Sequence, residues 1–247
     1  GIIADIKTFT AFRCFATSVI TSLTFQNTTG VFGAINQTAE SVHGQFQPIL
    51  DDFQVSALKT GMLPSREVIE TVAEIIRQNK LKNFVVDPVV RSTSGFDLID
   101  DDALKSLIEK LFPLSDIVTP NIPEAERISG MKIENESDFA KTAKKIQGLG
   151  AKNVLLKGGH FEKGKTAKDY LFIGEELHIF EGEFYETTAT HGTGCTLAAA
   201  ITANLALGKT MVESVGIAKK FVNEAIRTAP NIGNGHSPIN HLLFDFS

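Results

Sequence analysis

The residues best suited to chemistry lie in the run Thr190-His-Gly-Thr-Gly-Cys195-Thr-Leu, directly ahead of a long stretch of alanine, leucine and isoleucine. The glycines spell a tight turn, and the apolar stretch after them spells a buried helix. Backbone amides of Gly192, Thr193, Gly194 and Cys195 then point into one space at a helix N-terminus, where free N–H groups and the helix dipole stabilise negative charge. Such a turn is an anion hole. A thiol at its lip ionises more readily than one in an apolar core, which makes Cys195 a candidate general base for a substrate hydroxyl. The same spacing also suits a cysteine that merely packs at the start of a buried helix, and the turn alone leaves both readings open.

Four further groups end short apolar runs: Lys59-Thr60-Gly61-Met62, Asp87-Pro88, Pro120-Asn121 and Lys157-Gly158-Gly159. Taken singly, each reads as a turn or a helix cap. Their common place at the carboxyl ends of strands is what matters, because open α/β sheets bind ligands at that edge. Two other glycine motifs fail on context. Gly159 to Thr166 formally matches the phosphate loop G-x-x-x-x-G-K-[ST], but that loop must run into a helix and this one continues as TAKDYLFIGEELHIF, which has strand character. GTGCTL fails as a dinucleotide fingerprint, since Leu197 holds its sixth position and no opening βαβ unit surrounds it.

Positioning these groups requires alternating strands and helices. FATSVITSL (15–23), VSALK (55–59), NFVVD (83–87), DIVT (116–119) and NVLLK (153–157) are the expected strands, nearly continuous in apolar residues as strands covered on both faces are. Between them, Val68, Ile69, Val72, Ile75 and Ile76 share one helical face, as do Leu104, Leu107, Ile108 and Leu111. YLFIG and LHIFEG predict an antiparallel edge hairpin, and MVESVGIAKKFVNEAIRTA a final helix. The expectation is an α/β fold with a central, mostly parallel sheet flanked by helices. With 247 residues, 43% hydrophobic and 21% charged, the chain suits one domain. A net charge of -5 without a basic run argues against nucleic acid and a polybasic membrane patch. Two cysteines are too few for a disulfide framework, no apolar stretch has spanning length, and a cytoplasmic location is expected.

GIIADIKTFTAF, TSVITSLTFQNT, KTGML, VVDPVV, TPNIPEAE, LLKGGH, THGTGCTLAAAITANLALG and, near the end, GHSPINH resemble, in order and over essentially the whole chain, the hydroxymethylpyrimidine/phosphomethylpyrimidine kinases of thiamine biosynthesis. These belong to the ribokinase-like superfamily, whose fold has three layers. The resemblance implies ATP-dependent phosphorylation of hydroxymethylpyrimidine and then of its monophosphate, with Mg2+. It implies Cys195 as base, an anion hole from Gly192 through Thr193 and Gly194 to Cys195, and Asn121 and Glu124 as the N-x-x-E motif, Glu124 as the metal ligand. Asp87, Lys157 and Thr190 go with the nucleotide; Asp5, Gln26, Met62 and Val89 go with the pyrimidine. Gln26 carries a donor and acceptors, so it can read an amino group and a ring nitrogen. A homodimer is implied too. In the family a first strand and a Gly-Ser-rich turn precede the position of Gly1, and the lid-like segment from Val90 to Asp97 departs from the commoner form, in which aspartate directly follows the glycine. Pyridoxal kinase, a non-catalytic ligand-binding module and a Walker-type ATPase using Lys165 are the alternatives.

Overall fold

A computed structural model describes residues 1–90, 98–159 and 166–242. It begins with helix α1 (Ile2–Ala11), then an irregular segment, then strands β1 (Ser22–Asn27) and β2 (Gly30–Asn36), which pair antiparallel as a separate two-stranded sheet. The strand expected at 15–23 is therefore corrected: regular pairing starts only at Ser22. The β-branched run before it imitates a buried strand, yet Phe15 is 83% exposed and the run has no strand partner among the described residues. The better signal is alternation. In SLTFQN, Leu23 and Phe25 face one way and Ser22, Thr24 and Gln26 the other, the pattern of a strand with two unlike faces. Helix α2 (Ala39–Asp52), capped by the Thr38 hydroxyl accepting from the Ser41 amide, leads into the main sheet.

That sheet has six strands in chain order: β3 (Leu58–Thr60), β4 (Phe84–Val86), β5 (Ile117–Val118), β6 (Asn153–Lys157), β7 (Thr166–Ile173) and β8 (Glu176–Glu183). The first four are parallel, and β7 and β8 form the expected antiparallel edge hairpin. Alternate residues feed two cores. Phe84, Val86, Val118, Val154 and Leu156 pack with α3 (Arg66–Gln78), α4 (Asp101–Ser106), α5 (Ile122–Ser129) and α6 (Glu136–Gly148). Val85, Ile117, Leu155 and Leu171 pack with α7 (Thr193–Ala206) and α8 (Met211–Arg227). This is the expected three-layer arrangement.

The predicted apolar face of α3 is buried at all five positions, from Val68 to Ile76. α4 does not continue as a regular helix through DDALKSLIEKLF: it widens into a π-helical turn over Leu107–Leu111, which still buries Leu107 and Leu111. α7 is buried from Thr196 to Leu205, as a helix apolar all round must be. Its N-terminus therefore opens at the carboxyl edge of the sheet. No helix among the described residues is long and apolar enough to cross a membrane.

Candidate active site

Gly192, the N-cap of α7, has φ +88, a left-handed conformation that glycine adopts without the steric cost of a Cβ. It turns the chain so that α7 starts at Thr193 with no side-chain cap. The Thr193 amide is taken by the Thr190 carbonyl at 3.3 Å, so it is withdrawn from the expected hole. Amides of Gly192, Gly194 and Cys195 have no acceptor among the described residues, and they are the donors left for an anion. The Thr193 hydroxyl also bonds the Thr190 carbonyl, and Thr190 Oγ1 lies 3.4 Å from His236 Nδ1. Cys195 sits in the first turn, half-buried, its Sγ accepting from the Gly1 nitrogen at 3.2 Å.

Two lysines whose side chains are largely covered line the cleft with this turn. Lys157, at the end of β6, lies 3.1 Å from Asp87 Oδ1 and 3.9 Å from Glu124 Oε2. A methyl group placed on Gly194 would sit 3.3 Å from Lys157 Nζ and 4.0 Å from Asp87 Oδ2, so these charges lie directly beneath the hole. Burial alone would raise the Asp87 carboxyl, but the Lys157 and Lys59 ammoniums outweigh it and hold it below the usual range. Glu124 goes the other way: burial pushes its carboxyl up to about 7, against the attraction of Lys157 and with the charge of Asp87 adding to the rise. Desolvation disfavours the charged Lys157, yet Asp87 and Glu124 keep it above the ordinary lysine range. Asn121 and Glu124 also form a reciprocal capping box at the start of α5: the Glu124 amide donates to Asn121 Oδ1 at 2.9 Å and the Asn121 amide to Glu124 Oε2 at 2.8 Å. The helix-cap geometry and a place at the site are thus held by the same two residues.

Lys59, at the end of β3, is the residue to which the sequence assigns no role. Its side chain is 4% exposed, and its Nζ donates to both oxygens of Asp5 at 2.9 Å. Burial opposes its charge, but Cys195, Asp5 and Asp87 together raise its pKa. A lysine closing an apolar strand and an aspartate in an N-terminal helix carry no mutual spacing signal, so only the fold pairs them. The pairing holds Asp5 and Lys59 together at the wall of the cleft.

The remaining expected residues sit beyond Lys59. Val89 donates its amide to the Asp87 carbonyl at 2.8 Å. The Met62 carbonyl accepts from Thr21 Oγ1 at 2.7 Å, which joins the irregular segment to β3. Gln26 lies at the bulge of β1, its Nε2 donating to Thr24 Oγ1 at 2.8 Å. All thirteen residues singled out from the sequence line one cleft of about 1990 Å³. A single drug-sized ligand takes roughly 300–1,000 Å³, so a nucleotide and a small acceptor fit together. The lid-like stretch 91–97 and the loop 160–165, with Lys165, lie outside the described residues. The chain leaves that loop as strand β7, not as the helix a phosphate loop needs.

The C-terminal GHSPINH segment, which carries part of the resemblance without a role, ties the cleft together. The His236 amide donates to the Thr28 carbonyl at the tip of the β1–β2 hairpin (2.7 Å), and the His191 amide to the Ser237 carbonyl (3.3 Å). One segment thereby joins the hairpin bearing Gln26 to the turn bearing Cys195.

A family model described as phosphomethylpyrimidine kinase matches residues 1–240. The hydroxymethylpyrimidine/phosphomethylpyrimidine kinase of Staphylococcus aureus (strain MSSA476) is 40% identical over 245 residues, covering 99% of this chain and 89% of that protein. Among solved structures, an ADP complex of Bacillus subtilis pyridoxal kinase aligns with a TM-score of 0.89 at 35% identity, over 98% of this chain and 91% of that one. The phosphomethylpyrimidine kinase of Clostridium difficile 630 aligns with a TM-score of 0.80 at 40% identity, over 92% and 93%. The chain belongs to the phosphomethylpyrimidine kinase family and is a kinase of ribokinase-like fold.

Proposed function

We propose that the protein transfers the γ-phosphate of ATP to the hydroxymethyl oxygen of hydroxymethylpyrimidine, and then phosphorylates the monophosphate to the diphosphate, in thiamine biosynthesis. The observation that carries this reading is the meeting, in one cleft, of a thiol, three amides without acceptors among the described residues and two largely covered ammoniums. Phosphoryl transfer demands positioning and charge stabilisation above all, and this set supplies both. Cys195 accepts the hydroxyl proton as the oxygen attacks. The amides of Gly192, Gly194 and Cys195 hold the phosphoryl oxygens, and Lys157 neutralises charge between donor and acceptor.

Asp87 and Glu124 are the carboxylates suited to Mg2+. Mg2+ retains waters and arrives with nucleotide phosphates, and its charge would offset these two buried carboxylates. Gln26, Met62 and Val89 form the pyrimidine end of the cleft.

The chain assembles as a homodimer through the β1–β2 sheet. Leu23, Phe25, Phe32 and Ile35 of that sheet are each about half exposed or more, and an isolated two-stranded sheet is marginal in water unless something covers its apolar residues.

The likeness to Bacillus subtilis pyridoxal kinase supports a second reading with the same phosphate machinery and another heterocycle. ADP release measured with hydroxymethylpyrimidine, its monophosphate and pyridoxal separates them: turnover of both pyrimidines supports the first reading, turnover of pyridoxal alone the second, and none the binding module.

A further inference from the structure

The two transfers attributed to this site differ in what they ask of it. In the first, the nucleophile is an alcohol. As its oxygen bonds to the γ-phosphorus, the bond to the β-phosphate oxygen breaks with its electron pair leaving on ADP, and the hydroxyl proton must be taken up. In the second, the nucleophile is a non-bridging oxygen of a phosphate monoester, whose second pKa is about 6. At neutral pH that oxygen is already anionic. The P–O–P bond forms and ADP leaves without any proton being removed, but the acceptor brings its own negative charge to face the γ-phosphate. The demand passes from a base to a cation.

The cleft holds a second cation besides Lys157, placed for that demand. Lys157 bonds Asp87 at 3.1 Å and lies 3.9 Å from Glu124, which places it at the end of the cleft read as the nucleotide's. Lys59 lies on the acceptor side: a methyl group placed on Gly61 would be 3.4 Å from Lys59 Nζ and 3.9 Å from Val89 Cγ2, and Gly61 adjoins Met62. Of the three protons on its ammonium, two go to the Asp5 oxygens, and the third has no acceptor among the described residues. A side chain this buried, clamped by two hydrogen bonds from a helix, presents its remaining donor in a fixed direction.

Resting on the two-step kinase reading, we propose a division of labour within the one site: Cys195 serves the first transfer as proton acceptor, and Lys59, held by Asp5, serves the second by contacting the phosphate that the acceptor then carries. Asp5 is a positioning residue in this scheme.

The test measures kcat/KM separately for hydroxymethylpyrimidine and for its monophosphate, with ATP and Mg2+, in the whole chain and in Cys195→Ala, Lys59→Met and Lys59→Arg. Calorimetric titration of the monophosphate without ATP gives a readout independent of turnover. Cys195→Ala is expected to lower the alcohol-to-monophosphate ratio of kcat/KM by about 10²-fold or more, the range of a lost general base. Lys59→Met is expected to move that ratio the opposite way by at least about tenfold and to weaken monophosphate binding, and Lys59→Arg to restore much of both. If Lys59→Met unfolds, Asp5→Asn/Lys59→Met removes both charges and must show the same inversion. Equal loss of both steps in each variant, or undiminished monophosphate binding without Lys59, overturns the division. If the parent chain turns over neither pyrimidine, the two-step kinase reading fails instead, and this inference falls with it.

Discussion

Both carboxylate oxygens of Asp5 lie 2.9 Å from Lys59 Nζ, joining the first helix to the end of β3 at the wall of the cleft that Cys195 also lines. Removing one partner of a buried pair leaves an uncompensated charge, at a cost of about 3–5 kcal/mol, whereas replacing both is far milder. Asp5→Ala is therefore expected to destabilise the fold by about that amount, and Asp5→Asn/Lys59→Met by less, in urea unfolding. A double variant as unstable as Asp5→Ala would contradict the pairing.

Glu124 gives a pH dependence with a definite sign. Its folded pKa of about 7 lies above the ordinary 4.5, so the folded state holds this proton more tightly than the unfolded chain. The stabilisation from the neutral carboxyl is complete below pH 4.5 and is lost as pH rises to about 7. Glu124→Gln copies the neutral form and can still serve the capping box. Relative to the parent, it should gain on the order of 3 kcal/mol between about pH 4.5 and about pH 8, read from unfolding curves across that range. A difference that stays flat with pH refutes the assignment.

The phosphate-loop look-alike separates Lys165 from Lys157. Lys165→Ala should leave ATP turnover within about twofold, while Lys157→Met, which strips the counter-charge from Asp87 and Glu124, should cost at least about tenfold in ATP affinity, the scale of a lost charge-assisted hydrogen bond. Calorimetry with a non-hydrolysable ATP analogue reads the affinities and ADP release the turnover; a collapse in Lys165→Ala would restore the Walker reading.

Phe32 and Ile35 in β2 of the two-stranded sheet are 70% and 54% exposed. If that sheet joins two copies, Phe32→Asp and Ile35→Asp should shift the mass from dimer to monomer in light scattering after size-exclusion chromatography. A monomeric parent, or a dimer indifferent to both changes, rules out this interface.

Much of the parallel sheet is legible in the sequence because fully buried strands and amphipathic helices leave opposite signatures. NVLLK and the Val68–Ile76 stripe of α3 need no context to be read. The β1–β2 sheet is harder, because β-branched residues in 15–21 imitate a buried strand, while the real pairing depends on a turn at Thr28-Thr29 and alternation across it. Within the site, the GTGC turn announces itself through glycine and the apolar helix behind it. The loss of the Thr193 amide to Thr190, and the clamp of Asp5 on Lys59 across 54 residues of chain, are products of tertiary packing that no local pattern records.

The proposed mechanism turns on Cys195 taking the proton from the acceptor hydroxyl. Steady-state ADP release on hydroxymethylpyrimidine, comparing the parent chain with Cys195→Ala while calorimetry follows ATP binding, tests it most directly. The variant is predicted to bind ATP normally and to lose about 10²- to 10⁴-fold in turnover; turnover equal to that of the parent would contradict the role of the thiol.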